Sequence, residues 1–274
     1  SDLPISFTME RFAILAGTAT RYYVSDAISD DKPVVMLIHG YMESIESWDG
    51  LIRKLEPHVA VVALDLPGHG ISEVPSDICT MNYFADTACA LLDKLSIDKA
   101  AVVGHSMGGY VACAFAAKYP ERCSALVLLH SSPLADTPER AADRLREIAV
   151  IEQGRKELLT SVNPSRSFAP CNVDRMEETI DALSEQAMMT DNNGILAALR
   201  GMMEREDLSE RLAELHIPQS AVFGTDDLFI PEAAREKIIS ETPYMTHHII
   251  PDTGHQAHHE ATGKVAKIIL DITE

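Results

Sequence analysis

Residues 102–110 read VVGHSMGGY. An apolar run stops at Gly104, and Ser106 stands two residues after that glycine and two before Gly108. The segment admits two readings. In one it is a strand-to-helix turn in which glycine relieves strain. In the other the same turn presents a nucleophilic serine. A single G-x-S-x-G does not choose between them, so the choice falls to the rest of the chain.

The chain has 274 residues, enough for one large α/β domain or for one domain carrying an insertion. Hydrophobic residues make up 46%, an ordinary share for a globular protein. The formal net charge of -19 opposes binding to nucleic acid or anionic membranes, which are polyanions. The five cysteines (Cys79, Cys89, Cys113, Cys123, Cys171) are odd in number, widely spaced and without a C-x-x-C, which fits reduced thiols in a reducing compartment. No apolar run approaches the ~18 residues of a membrane span. The opening SDLPISFTME lacks a basic n-region and an apolar h-region. It also lacks Met, so a removed signal peptide stays open, and a cytoplasmic location is the expectation.

Working outward, PVVMLIHG (33–40), AVVALDLPGHG (60–70), AAVVGHS (100–106), ALVLLHSS (125–132) and SAVFGTDD (220–227) share one pattern, repeated more weakly in MTHHIIPDTG (245–254). Short runs that are apolar throughout read as strands buried on both faces. Residues 5–15 and 18–25 read as an earlier hairpin turning at Gly17. Helical patterns lie between: 82–95 with Asn82 as cap, 107–118 ending before Pro120, 231–240 starting at Pro231, and 259–271. Strand–helix alternation predicts an α/β fold with a mostly parallel central sheet flanked by helices. From Pro133 to Leu215 no strand is evident, while helical stretches fall near 138–152, 173–189 and 193–213. The expected organisation is a core of residues 1–132 and 216–274 with an inserted helical cap at 133–215.

Ligands of open α/β sheets bind beyond the carboxyl ends of the strands. Those ends carry His39-Gly40-Tyr41, Asp65, His105-Ser106-Met107, Asp226-Asp227 and Asp252 with His255. In five places (HGY with Trp48 downstream, DLPGHGIS, GHSMGG, GTDDLFIP and DTGHQAHHE) the chain resembles the α/β-hydrolase fold superfamily in its capped form, with the family's order Ser…Asp…His. The resemblance implies Ser106 as nucleophile, His255 as base and Asp227 as orienting acid. It picks Asp227 over Asp226 through Gly224-x-x-Asp227-x-x-x-Pro231, and His255 from eleven histidines through T-G-H after a strand. It places the oxyanion donors at the backbone N–H groups of Tyr41 and Met107.

The chemistry agrees with that assignment. A serine hydroxyl needs a base to take its proton, and a helix N-terminus offers free N–H groups to a developing oxyanion. Other positions have plainer readings: Asp65 shapes a turn, and His247 and His248 sit in a strand. The His255, His258, His259 group lacks the carboxylate or thiolate set that would complete a metal site, and no cofactor is implied. Gly40, Met42, His105 and Trp48 are candidate pocket residues. Met42, Met107, Met176, Met188, Met189, Met202 and Met203 suggest a deformable apolar pocket for a small to medium acyl group. A small-molecule carboxylic ester, thioester or lactone is the expected substrate. Cleavage of a C–C bond beside a ketone, a lyase reaction, acyl transfer and a non-catalytic small-molecule receptor remain open. Oligomeric state is not readable from the sequence.

Overall fold

A computed structural model describes residues 11–26 and 32–274. Eight strands form one sheet: β1 (Arg11–Leu15), β2 (Thr18–Val24), β3 (Val34–Ile38), β4 (Ala60–Leu64), β5 (Ala100–His105), β6 (Cys123–Leu129), β7 (Gln219–Gly224) and β8 (Thr246–Ile250). Their order is β1-β2-β4-β3-β5-β6-β7-β8. β1 and β2 pair antiparallel, β2 joins β4 antiparallel, and every other pairing is parallel. Residues 5–10 of the expected first strand lie outside the described residues. The helices are α1 (Asp49–Leu55), α2 (Met81–Lys94), α3 (Met107–Lys118), α4 (Pro138–Glu152), α5 (Glu157–Thr160), α6 (Asn163–Arg166), α7 (Glu177–Met189), α8 (Asn192–Met203), α9 (Ser209–Ala213), α10 (Glu232–Glu241), α11 (Ala257–Glu260) and α12 (Thr262–Thr273).

The continuous apolar runs have the cause expected of them. Side chains alternate across a strand, and both faces of this sheet are covered. Met36, Ile38, Val62 and Val102 face one core with Phe84 of α2 and Phe115 of α3. Val35, Leu37, Val61, Ala101 and Val103 face the other, where Trp48, Leu51 and Leu55 meet Val265 and Ile269 of α12. Trp48 is fully buried there, so it is a packing residue and not the pocket wall allowed for above.

Several local expectations change. Thr80, not Asn82, caps α2, its hydroxyl accepting from Tyr83 N–H. Pro231 sits at the cap of α10, one residue before the helix. The last helical pattern is two helices, broken at Ala261. Helix α1, unmarked by the sequence pattern, fills the β3–β4 crossover.

Between β6 and β7 the described residues contain helices and no strand. α8 lies directly on the core. A Cβ on Gly194 would stand 2.0 Å from Gly68 O, and Cys79 N–H donates to Ala197 O at 3.0 Å.

The strand order reverses at β3, which has β4 on one side and β5 on the other. The crevice for a ligand therefore opens between the loops that follow β3 and β5. The backbone there is packed to contact: a Cβ on Gly108 would meet Ile38 O at 2.1 Å, and one on Gly104 would meet Gly108 O at 2.1 Å. Gly108→Ala is expected to cost about 3 kcal/mol, several degrees of Tm. Gly263→Ala, where nothing lies within 4 Å, is expected to be neutral or to stabilise by about 0.5–1 kcal/mol. Thermal melts of the two variants check the contrast.

Candidate active site

Ser106 links β5 to α3 with φ 51° and ψ -116°, a strained conformation for a residue with a side chain, costing about 1–3 kcal/mol. Its backbone is held by three bonds. Ser106 N–H donates to Leu129 O at 2.9 Å, and its carbonyl accepts from Gly109 N–H at 2.9 Å and from Ser131 Oγ at 2.8 Å. The side chain lines an open cavity.

The structure brings the three sequence-predicted side chains together. Ser106 Oγ lies 3.0 Å from His255 Nε2, and His255 Nδ1 lies 2.8 Å from Asp227 Oδ2. Asp227 is almost fully buried. Its Oδ1 accepts from Phe229 N–H at 2.8 Å and Ile230 N–H at 3.0 Å. Its Oδ2 accepts a second bond, from His130 Nδ1 at 3.0 Å. Burial alone would raise this carboxyl, but His255 and His130 outweigh it and hold Asp227 well below the usual carboxylate range. A carboxylate that accepts at both oxygens fixes His255 with its proton on Nδ1. Nε2 is then left as acceptor for the serine proton.

Sequence reading missed His130. The residue appeared there only as the end of the apolar run ALVLLHSS. His130 Nε2 accepts from Ala257 N–H at 3.2 Å, so the ring needs a proton on Nδ1 alone. Burial pushes it down to about 4, in keeping with a neutral ring.

The main chain of His255 is held from both sides. Its N–H donates to Ser167 O at 2.6 Å, and its carbonyl accepts from His105 Nε2 at 2.8 Å. His105 Nδ1 lies 3.0 Å from Glu43 Oε2. Glu43 also accepts from Gly40 N–H at 2.9 Å and Gln256 Nε2 at 3.0 Å. Glu43 lay outside every motif, and Gln256, though inside DTGHQAHHE, carried no role there.

Of the remaining candidates, Tyr41, Met42 and His105 border the cavity. Gly40 lies behind it, its N–H given to Glu43. Met107 is fully buried at the first position of α3, where a helix leaves N–H groups without an intrahelical partner. The methionine-lined pocket is not found. Only Met42 and Met202 reach the cavity. Met188 and Met189 are exposed, Met107 is core, and Met176 packs beside Phe168.

The far wall is charged. Arg140, Arg144 and Glu147 of α4 line it with Tyr41 and Tyr110. Asp136 claims Arg144 through two bonds of 2.6 and 3.1 Å and Arg205 through one of 2.5 Å. Arg205 lies over the Tyr110 ring, 3.8 Å from its centroid. Arg140 has only a 4.0 Å approach to the half-exposed Asp143. The Tyr41 hydroxyl is buried against Glu147 without a hydrogen bond of ordinary geometry. Burial raises the Glu147 carboxyl, with Arg140 and Arg144 opposing.

Two sets, Glu43–His105–His258 and His130–Asp227–His255, are close enough for a metal ion. In both, the carboxylate oxygens already accept hydrogen bonds. No helix among the described residues is long and apolar enough to cross a membrane.

A family model for the alpha/beta hydrolase fold matches residues 33–150. The chain is 28% identical over 270 residues (94% of this chain, 96% of the relative) to a putative 2-succinyl-6-hydroxy-2,4-cyclohexadiene-1-carboxylate synthase of Bacillus subtilis. It is 26% identical over 270 residues (93% and 91%) to a 2-hydroxy-6-oxononadienedioate/2-hydroxy-6-oxononatrienedioate hydrolase of Paraburkholderia phymatum. The malate-bound structure of a thermophilic esterase from Thermogutta terrifontis superposes with TM-score 0.87 at 25% identity, covering 96% of this chain and 97% of that one.

Proposed function

Since this chain belongs to the α/β-hydrolase fold superfamily, we propose that it is a serine hydrolase of small carbonyl compounds, with Ser106 as nucleophile, His255 as base and Asp227 as orienting acid. The observation that carries the reading is the unbroken Asp227–His255–Ser106 chain at 2.8 and 3.0 Å, ending on a serine that faces a cavity. His255 takes the hydroxyl proton as Ser106 Oγ bonds to the carbonyl carbon. The N–H groups of Tyr41 and Met107 receive the oxyanion. His255 returns the proton to the leaving group, and water activated by the same ring releases the acid. Residues 133–215 form the cap over this site, with α4 as its charged wall.

An ester, thioester or lactone is the first substrate class. The acyl group is read as short and bearing an anionic or strongly polar end, because Arg140 is the cation in the cavity that Asp136 does not hold. A C–C hydrolase is the second reading. The Paraburkholderia phymatum relative is named for dienedioate and trienedioate substrates, and a guanidinium that Asp136 does not hold suits such carboxylates.

Hydrolysis of p-nitrophenyl esters of increasing chain length tests the proposal, beside p-nitrophenyl esters with a free terminal carboxylate and a 2-hydroxy-6-oxo-dienoate. Arg140→Ala is expected to raise KM about tenfold for the carboxylate-bearing substrate, the loss of one charge-assisted bond, and to leave the neutral ester unchanged. Equal effects on both would remove Arg140 from recognition. Exclusive turnover of the dienoate would favour the second reading.

A further inference from the structure

Beneath the proposed catalytic residues the chain buries a histidine whose two ring nitrogens both face acceptors that carry no proton to give. His105 Nε2 is 2.8 Å from the His255 backbone carbonyl and Nδ1 is 3.0 Å from the Glu43 carboxylate. A neutral imidazole has one N–H and one lone pair. It could satisfy one of these partners and would set its lone pair against the other. A protonated ring satisfies both.

We propose that Glu43 and His105 are a buried carboxylate–imidazolium pair that positions His255 and keeps a positive charge beneath it. The inference rests on the reading of Ser106 and His255 given above. The pair ties three loops together. Glu43 accepts from Gly40 in the loop after β3 and from Gln256 in the loop of the base, while His105 directly precedes Ser106. Burial by itself opposes the charge on His105, but the carboxylate of Glu43 prevails and keeps the ring above the usual histidine range. Glu43 correspondingly stays well below the usual range of a glutamate despite its burial.

The surroundings leave His105 as the cation of the group. His130 reaches Asp227 and Ala257 with one proton. His258, in ring contact with His105 at 4.4 Å, has no hydrogen-bond partner on either nitrogen, and burial drives it well below the ordinary histidine range. His259 and the Trp48 ring complete the shell. The anions are Glu43 and Asp227, and each has its own histidine donor. His105 and His255 rings are 5.2 Å apart.

The test combines a pH profile with a measurement independent of turnover. In His105→Gln the positive charge 5.2 Å from the base ring is gone, and the acid limb of kcat/KM moves to higher pH. The loosened base lowers kcat roughly 10–100-fold, with KM within about twofold. In Glu43→Gln the amide oxygen stays with Gly40 N–H and His105 Nδ1, which share Oε2, and the carboxylate charge that holds the second ring proton is lost, which shifts the limb in the same direction. NMR of the ¹⁵N-labelled wild-type protein is expected to show both ring N–H protons of His105, at a pH where exposed histidines have lost one, with one of the two absent in Glu43→Gln. An unmoved limb and wild-type kcat in Glu43→Gln would overturn the charge's role. A single ring N–H in the wild type would overturn the pair itself, as would a stoichiometric metal ion held by Glu43, His105 and His258. Because the NMR arm needs no substrate, the pair stands or falls even if no ester or dienoate is turned over.

Discussion

Ser106→Ala is expected to lower kcat on any turned-over ester by roughly 10⁶-fold, to the level that binding and oxyanion donors alone sustain. The expectation follows from the geometry of the elbow. The backbone at Ser106 is fixed by Leu129, Gly109 and Ser131, and none of those bonds uses the serine hydroxyl. Alanine therefore leaves the strained φ of 51° and the neighbouring N–H groups in place, and removes only the atom that bonds to carbon. Substrate still enters and KM changes little. Release of p-nitrophenol by equal concentrations of the two proteins measures the ratio, and one-to-one labelling of the wild type by a fluorophosphonate, absent in the variant, locates the reactive atom. Retention of more than about a hundredth of the activity would assign turnover to another group.

Asp227→Asn is expected to cost about 10⁴-fold in kcat, through the tautomer of His255. The Oδ1 side faces two backbone N–H groups, from Phe229 and Ile230. An asparagine oxygen belongs there. Its amide NH₂ then faces His255 and His130 together, where the aspartate accepted from both. Each ring must turn a lone pair toward it, so the His255 proton moves to Nε2 and the nitrogen that should accept the serine proton is occupied. The His130 ring, refitted in the same way, loses its lone pair to Ala257 N–H. Steady-state kinetics measure the loss. Fluorophosphonate labelling slowed in parallel would place the defect at serine activation, whereas undiminished labelling would move the role of Asp227 to a later step.

The two halves of this site differ in how far the sequence discloses them. Ser106, Asp227 and His255 each follow closely on a strand, and a strand buried on both faces writes itself as an apolar run, so their common edge is readable without coordinates. Glu43, His130 and Gln256 are different. The side chains they meet are 62, 97 and 213 residues away, and a buried polar residue recruited over such distances leaves no periodic trace. The helices between β6 and β7 were legible as helices, but not which faces they turn to the cavity. That is why the methionines promised an apolar pocket and α4 delivers a charged wall. Trp48 misled for a similar reason. Helix α1 was not recognised, and α1 together with α12 builds the second core that takes the indole in.

The seating of α8 on the core divides the material between β6 and β7 into two kinds of territory. The backbone of Gly194 rests on that of Gly68 with no room for a methyl group, and Ala197 is stitched to Cys79. A graft that replaces α8 would have to reproduce a main-chain junction. Residues 167–172 make a second such junction: a Cβ on Gly254 would stand 2.5 Å from Ser167 O, and Ala169 N–H and Asn172 Nδ2 each donate to Glu260 at 2.8 Å. For anyone wishing to retune which molecules this scaffold admits, the natural cut points are therefore the loop before α4 and the turn between α5 and α6.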